Sequence, residues 1–211
     1  LDECVGHMTE KVVIPDAKQI AITPRRFTKK TPAEFRLFEP REDLVPDMVK
    51  AGDGFRFHVN GLTHGERDYP SISVETQDSL VHRLHDKLKP FENGRALFEG
   101  EFLDEAGLDV VVVSYGITSR VAERAMQLAR EQGVRAGKFR LISAWPFPEQ
   151  HIRELAGRVK AFGVPELNLG QMVREVERAA AGRAKVVSVP HAGGRVHLPD
   201  VILKAIVEAA R

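Results

Sequence analysis

Asp109-Val110-Val111-Val112-Val113-Ser114-Tyr115-Gly116-Ile117-Thr118-Ser119 is the stretch that decides the fold. Four consecutive β-branched residues run into a glycine turn and then into hydroxyl-bearing residues that can open a helix. An uninterrupted apolar run of this kind belongs to a strand covered on both faces, as in a parallel sheet. Beyond Gly116, Val121, Ala125, Leu128 and Ala129 fall on one helical face that ends at Gly133, so the stretch reads as a βα unit. The alternation then repeats. A strand near Gly137–Ser143 precedes Pro148 and Glu149 at a helix start, and Ile152, Leu155, Ala156 and Val159 recur at i, i+3, i+4, i+7. A third unit runs from a short strand around Phe162–Leu167 into a helix over Gln171–Ala181, and a fourth pairs Lys185–Val189 with a helix from Pro199. Four successive βα units over residues 108–211 predict an α/β fold, a three-layer α/β/α arrangement around an open, mostly parallel sheet.

The preceding residues have a different texture. Pro15, Pro24, Pro32, Pro40, Pro46 and Pro70 interrupt a region with few periodic segments, so residues 16–107 read as an irregular connector. Within it the alternation Phe55-Arg56-Phe57-His58-Val59-Asn60 predicts a short strand, and Ser73–Lys89 predicts a helix with Val81, Leu84 and Leu88 on one face. A connector of that length is expected to pack on something.

Composition narrows the classes. Of 211 residues 43% are hydrophobic, enough for a core, and 31 Lys and Arg balance 30 Asp and Glu with no long block of one sign. Nucleic acid and anionic membrane surfaces are therefore not expected as primary partners. One cysteine, Cys4, excludes an internal disulfide and cannot by itself hold an iron–sulfur cluster, which takes about four thiolates. Without an apolar run of about 18 residues or a basic-then-apolar leader, the chain is expected to be soluble and cytoplasmic. Its start at Leu1 reads as that of a fragment.

Ligands of open α/β sheets bind at the carboxyl ends of strands, so the loops leaving the strands hold the candidate residues. Ser114, Gly116, Thr118 and Ser119 form a hydroxyl-rich turn that could cradle a phosphate, although the Lys of a P-loop is absent. The ordinary reading of the same residues is a turn capped by Thr118 or Ser119. Glu166, Asn168, Gly170 and Gln171 place an acid and an amide at a strand end, facing a partner or ligand. Alternatively, Asn168 caps the helix and Glu166 meets Arg174. In the connector, Gly61, Leu62, His64 and Glu66 begin a loop through Pro70 whose His, acids and Arg suit acid–base work or carboxylate recognition, or form a plain solvated loop. The other histidines make no ligand set, and no nucleophile elbow occurs, so neither a catalytic residue nor a metal site is assigned.

Several phrases together carry a family resemblance: Asp2-Glu3 with Gly6-His7-Met8, Gly61-Leu62-Thr63-His64 with Glu66 and Pro70, Val112-Val113-Ser114-Tyr115-Gly116, Trp145-Pro146-Phe147-Pro148, and Asn168-Leu169-Gly170-Gln171. In this order they span nearly the whole chain, which resembles the α subunit of 2-oxoacid:ferredoxin oxidoreductases, most closely the 2-oxoglutarate type. The resemblance implies a transketolase C-terminal-like domain over 108–211 and, over 1–15, the tail of a preceding thiamine-type domain. It also implies oxidative decarboxylation of a 2-oxoacid with coenzyme A to acyl-CoA, carbon dioxide and reduced ferredoxin. Thiamine diphosphate, Mg and 4Fe-4S clusters are implied for the holoenzyme and none for this chain alone. The implied partners are a thiamine- and cluster-binding β subunit, with γ and δ subunits, ferredoxin and coenzyme A at the holoenzyme level. The acid-bearing pyrimidine-binding domain of the family is not in this sequence, and Thr63 stands where the family has Glu, so this chain alone is expected to be inactive and to serve in assembly. The alternatives are a non-catalytic partner-binding module, a small nucleotide-binding protein using the Ser114–Ser119 turn, and specificity for pyruvate or a branched-chain 2-oxoacid.

Overall fold

The computed structural model describes residues 7, 9, 11–67, 69–92 and 94–211. Cys4, the Asp2-Glu3 pair, Gly6, Met8 and Asp68 lie outside them. The chain divides into two compact units, one over Lys11–Pro90 and one built on Phe91–Arg211.

The unit built on Phe91–Arg211 holds five strands in the order β1-β3-β2-β4-β5: β1 (Phe98–Glu101), β2 (Val110–Ser114), β3 (Ala136–Leu141), β4 (Ala161–Glu166) and β5 (Lys185–Pro190). All neighbours are parallel except β1, which pairs antiparallel with β3 from Phe98 opposite Leu141 to Glu101 opposite Lys138. After α1 (Val74–Asp86) of the other unit, the helices here are α2 (Thr118–Glu131), α3 (Glu149–Ala156), α4 (Met172–Ala180) and α5 (Pro199–Ala210). The step from β2 to β3 runs one way across the sheet; the steps from β3 to β4 and from β4 to β5 run the other way. Right-handed crossovers must therefore put α2 on one face and α3 and α4 on the opposite face.

The core follows this division. Val110 and Val112 pack with Ala122, Ala125, Met126, Ile202 and Ile206 under α2 and α5. Val111 and Val113 pack with Phe139, Ile152, Phe162 and Val176 under α3 and α4. Every residue of β2 is fully buried, which is why its sequence shows no polar alternation. At the amino end of β2, Asp109 accepts the backbone N–H of Arg135 at 3.1 Å and the ammonium of Lys160 at 2.9 Å, clamping the approaches to β3 and β4.

Strand β1 lies within the segment read from sequence as connector. Its Phe-Glu-Gly-Glu pattern carries one large apolar residue and no signal of its own. It is held by partners: Phe98 stacks on Phe139 with centroids 4.1 Å apart, and Glu101 with Glu123 neutralises the buried ammonium of Lys138. Burial pushes that ammonium down, but the two carboxylates outweigh it and hold its pKa above the ordinary lysine value.

In the unit Lys11–Pro90 the expected helix is α1 (Val74–Asp86), capped by the Ser73 hydroxyl accepting the Thr76 N–H at 3.1 Å. The expected strand over 55–60 is not formed. No ladder forms over these residues, Phe55 meets the edge of Phe35, and Val59 stays exposed. Alternation alone cannot make a strand where no neighbouring edge supplies hydrogen bonds. The isolated bridges of this unit are Phe27 with Met48, Pro40 with Pro46 and His64 with Pro70. No described residue between Lys11 and Pro90 is buried. Among the described residues no helix is long and apolar enough to cross a membrane.

Asp109 gives a pH-dependent prediction. Burial pushes its carboxyl up, while Lys160 and both the backbone and side chain of Arg135 pull harder and leave it below the ordinary aspartate range. The stabilisation is complete above the unfolded value of about 3.9 and is lost as pH falls through the lower folded value. Asp109→Asn is expected to cost about 1–2 kcal/mol at pH 7, and the gap to the unsubstituted chain should shrink on acidification. Urea unfolding at several pH values measures both.

Candidate functional site

The loop leaving β2 turns towards α2 on one face and the loop leaving β4 towards α4 on the other. The crevice between the carboxyl ends of β2 and β4 is therefore the place where such a sheet offers a site. Here it is closed by a knot of side chains. Tyr115 donates its hydroxyl to Glu166 Oε2 at 3.2 Å. Asn168 Nδ2 donates to the Tyr115 hydroxyl at 2.9 Å and to Glu166 Oε2 at 3.2 Å, and its Oδ1 accepts the Gly170 N–H at 2.8 Å. Glu166, 1% exposed, also accepts the backbone N–H groups of Met172 at 2.8 Å and Val173 at 2.9 Å, with a longer contact from Gln171 at 3.3 Å. An ionised carboxylate in an apolar interior is costly, and these donors at a helix amino terminus are what offset the cost.

This revises the sequence expectation for the helix start. Glu166, not Asn168, satisfies the first N–H groups of α4, and Asn168 instead forms a local turn to Gly170. Gly170, at φ +106°, reverses the chain so that the last residue of β4 meets the helix start, a conformation that favours glycine. The carboxylate is engaged on both oxygens, so Glu166 acts as a brace and is not a free base.

At α2 the expected hydroxyl caps are also absent. The first turn is closed by backbone: Ser119 N–H donates to the Gly116 carbonyl at 3.2 Å and Arg120 N–H to that of Ile117 at 3.0 Å. Thr118 and Ser119 are buried, and the hydroxyls of Ser114 and Ser119 have no hydrogen-bond partner among the described residues. Beside the end of β5, buried His197 has Nε2 2.9 Å from the Val189 carbonyl oxygen. Burial holds its pKa below the ordinary histidine value, the carbonyl opposes that and nearby His191 adds to it. Among the described residues no group of three or more His, Cys, Asp or Glu could hold a metal ion.

Side chains outside the candidate site residues crown the same edge. Leu169 is 80% exposed between Asn168 and Gly170, and Trp145, 66% exposed, and Ile142 stand in the loop leaving β3. The loops leaving β3 and β4, on either side of β2, thus present an uncovered apolar rim, the signature of a contact surface. Alternating hydrophobicity could not reveal it, because these residues lie in loops.

In the unit Lys11–Pro90 the other candidates gather separately. His64 stacks on Phe38 with ring centroids 3.8 Å apart, and the Phe38 N–H donates to the Glu66 carbonyl at 3.1 Å. Leu62 N–H donates to Asn60 Oδ1 at 2.7 Å, closing a turn at exposed Gly61. His64 and Glu66 line a cavity of about 500 Å³.

Within the sheet unit, residues 108–202 match the family model described as pyruvate:ferredoxin oxidoreductase core domain II. The chain as a whole is a homologue of the 2-oxoglutarate synthase subunit KorA. The protein of that name from Methanothermobacter thermautotrophicus is 44% identical over 211 residues, covering 100% of this chain and 55% of the relative. The ketoisovalerate oxidoreductase subunit VorB of the same organism is 39% identical over 122 residues, 57% of this chain and 34% of that one. A 2-oxoglutarate:ferredoxin oxidoreductase from Magnetococcus marinus, solved with 2-oxoglutarate, coenzyme A and succinyl-CoA bound, shares the fold. Its TM-score is 0.75 over 93% of this chain and 34% of that chain, at 22% identity. The chain spans about half the length of the KorA relatives it matches.

Glu166→Ala strands the N–H groups of Met172 and Val173 and the Tyr115 hydroxyl together. We expect a loss of about 2–4 kcal/mol in unfolding free energy and faster amide exchange in the first turn of α4, read by denaturant titration and hydrogen exchange. Unchanged exchange at Met172 and Val173 would refute the bracing role.

Proposed function

We propose that this chain is a structural portion of the α subunit of a 2-oxoglutarate:ferredoxin oxidoreductase, which converts a 2-oxoacid and coenzyme A to acyl-CoA, carbon dioxide and reduced ferredoxin. The observation that carries the reading is the 44% identity running along the entire chain. Its likeness to the ketoisovalerate subunit covers only 122 residues, which supports 2-oxoglutarate over a branched-chain acid as substrate.

The residues present do not fit the cofactors of such an enzyme. One cysteine cannot hold a 4Fe-4S cluster. A diphosphate needs free N–H donors, and those at the start of α4 are taken by Glu166, while at α2 those of Ser119 and Arg120 are taken by backbone carbonyls. Thiamine diphosphate, Mg and the clusters, which supply the decarboxylation and electron-transfer chemistry, are therefore assigned to other parts of the assembly. This chain's share is to hold that assembly: the strand-end loops Ser114–Ser119 and Glu166–Gln171 brace a rim whose exposed Leu169 and Trp145 meet a thiamine- and cluster-binding subunit in the cytoplasm. On this reading the chain alone has no turnover.

The test is purification of the native complex through a tag on this chain, followed by assays with coenzyme A and ferredoxin. The highest kcat/KM is expected with 2-oxoglutarate rather than pyruvate or 2-oxoisovalerate, and none for the isolated chain. Turnover by the isolated chain would overturn the structural role. Leu169→Asp is expected to reduce recovery of the partner subunit at least tenfold while leaving thermal unfolding of this chain within about 0.5 kcal/mol, as for an exposed side chain. Asn168→Ala, which opens the knot, should lower both.

A further inference from the structure

The unit Lys11–Pro90 holds a cavity of about 500 Å³ lined by the apolar Phe38, Leu44 and Leu80 and by the charged Glu66, Glu75 and Arg83. We propose that this cavity is the docking pocket for a segment of a partner subunit in which an apolar side chain adjoins a lysine or arginine. This rests on reading the chain as a subunit portion, and it adds a second contact of defined chemistry on a different unit from the Leu169 rim.

Charge selects the basic residue. Glu66, Glu75 and Asp86 line the cavity against one guanidinium, that of Arg83, whose Nη1 lies 3.4 Å from the Leu44 carbonyl oxygen. Asp86 is already matched by Lys89 at 2.7 Å. Glu66 and Glu75 form no ion pair among the described residues, so the lining keeps an excess of negative charge that attracts a cation and repels an anionic ligand. The stack of Phe38 on His64 gives the pocket a stiff aromatic wall against which an apolar side chain can rest.

The surroundings select a polypeptide rather than a small molecule. Helix α1, which supplies Glu75, Leu80 and Arg83 to the cavity, also carries Val74, Val81 and Leu84 exposed on its flank, and Leu62 and Ile72 are exposed on the neighbouring loop. A small cation would occupy only part of the cavity and leave this apolar flank in water. A chain laid across α1 covers both.

The experiment uses the native or co-expressed complex with a photo-reactive residue at exposed Ser79 on the cavity wall. The expected result is a cross-link to a partner-subunit peptide carrying Lys or Arg beside an apolar residue. Glu66→Lys with Glu75→Lys should cut its yield at least tenfold, and Glu75→Asp should keep it. A thermal melt of the charge-reversed chain establishes that it stays folded. If the complex forms and Ser79 labels only its own polypeptide or no protein, or if charge reversal leaves the yield unchanged, the docking proposal is overturned while the subunit reading stands. If no thiamine-binding subunit accompanies the chain from its native source, both fall.

Discussion

One buried carboxylate organises the carboxyl edge of the sheet. Glu166 ends β4 inside the protein, where an ionised group is tolerated only if its oxygens are fully engaged. The donors come from three places, the start of α4, Tyr115 after β2, and Asn168, and each is thereby fixed relative to the others. The position of the loops at the switch point, and hence of the exposed Leu169 between them, depends on this single group. A crevice that in other α/β sheets admits a ligand is here filled by the protein's own acid.

The two units solve the burial problem differently. The sheet unit covers β2 completely and closes its amino edge with Asp109, Arg135 and Lys160. Lys11–Pro90 buries none of its described residues and leaves Val74, Val81 and Leu84 of its helix in water. A segment with that much uncovered apolar surface gains little from folding by itself, and its stability must come from what it touches.

The four βα units were legible because each writes its signal locally. The Val110–Val113 run, the helical spacing of Ile152, Leu155 and Ala156, and the glycines between them place every parallel strand within a few residues of its observed range. The failures share a cause. Phe55–Asn60 alternates like a strand but finds no edge, whereas Phe98–Glu101 lacks the pattern and becomes a strand because β3 offers a free edge and Phe139 a stacking partner. Strand formation is a property of pairs, and one strand's sequence contains half the information. The helix caps failed similarly: the expected hydroxyls and amide lay in the right positions, but a carboxylate and backbone carbonyls from outside the helices took their place.

The sequence by itself determined the alternation of the four parallel strands with their helices, the resemblance to the oxidoreductase family and the loops in which candidate residues lie, since periodicity, turns and motifs are local features. Only the tertiary structure decided the strand order β1-β3-β2-β4-β5, the antiparallel edge, and the meeting of Tyr115 with Glu166, 51 residues apart in the chain. Those depend on which strand edges find each other and which buried polar atoms need partners, and neither requirement can be met, or read, within one segment.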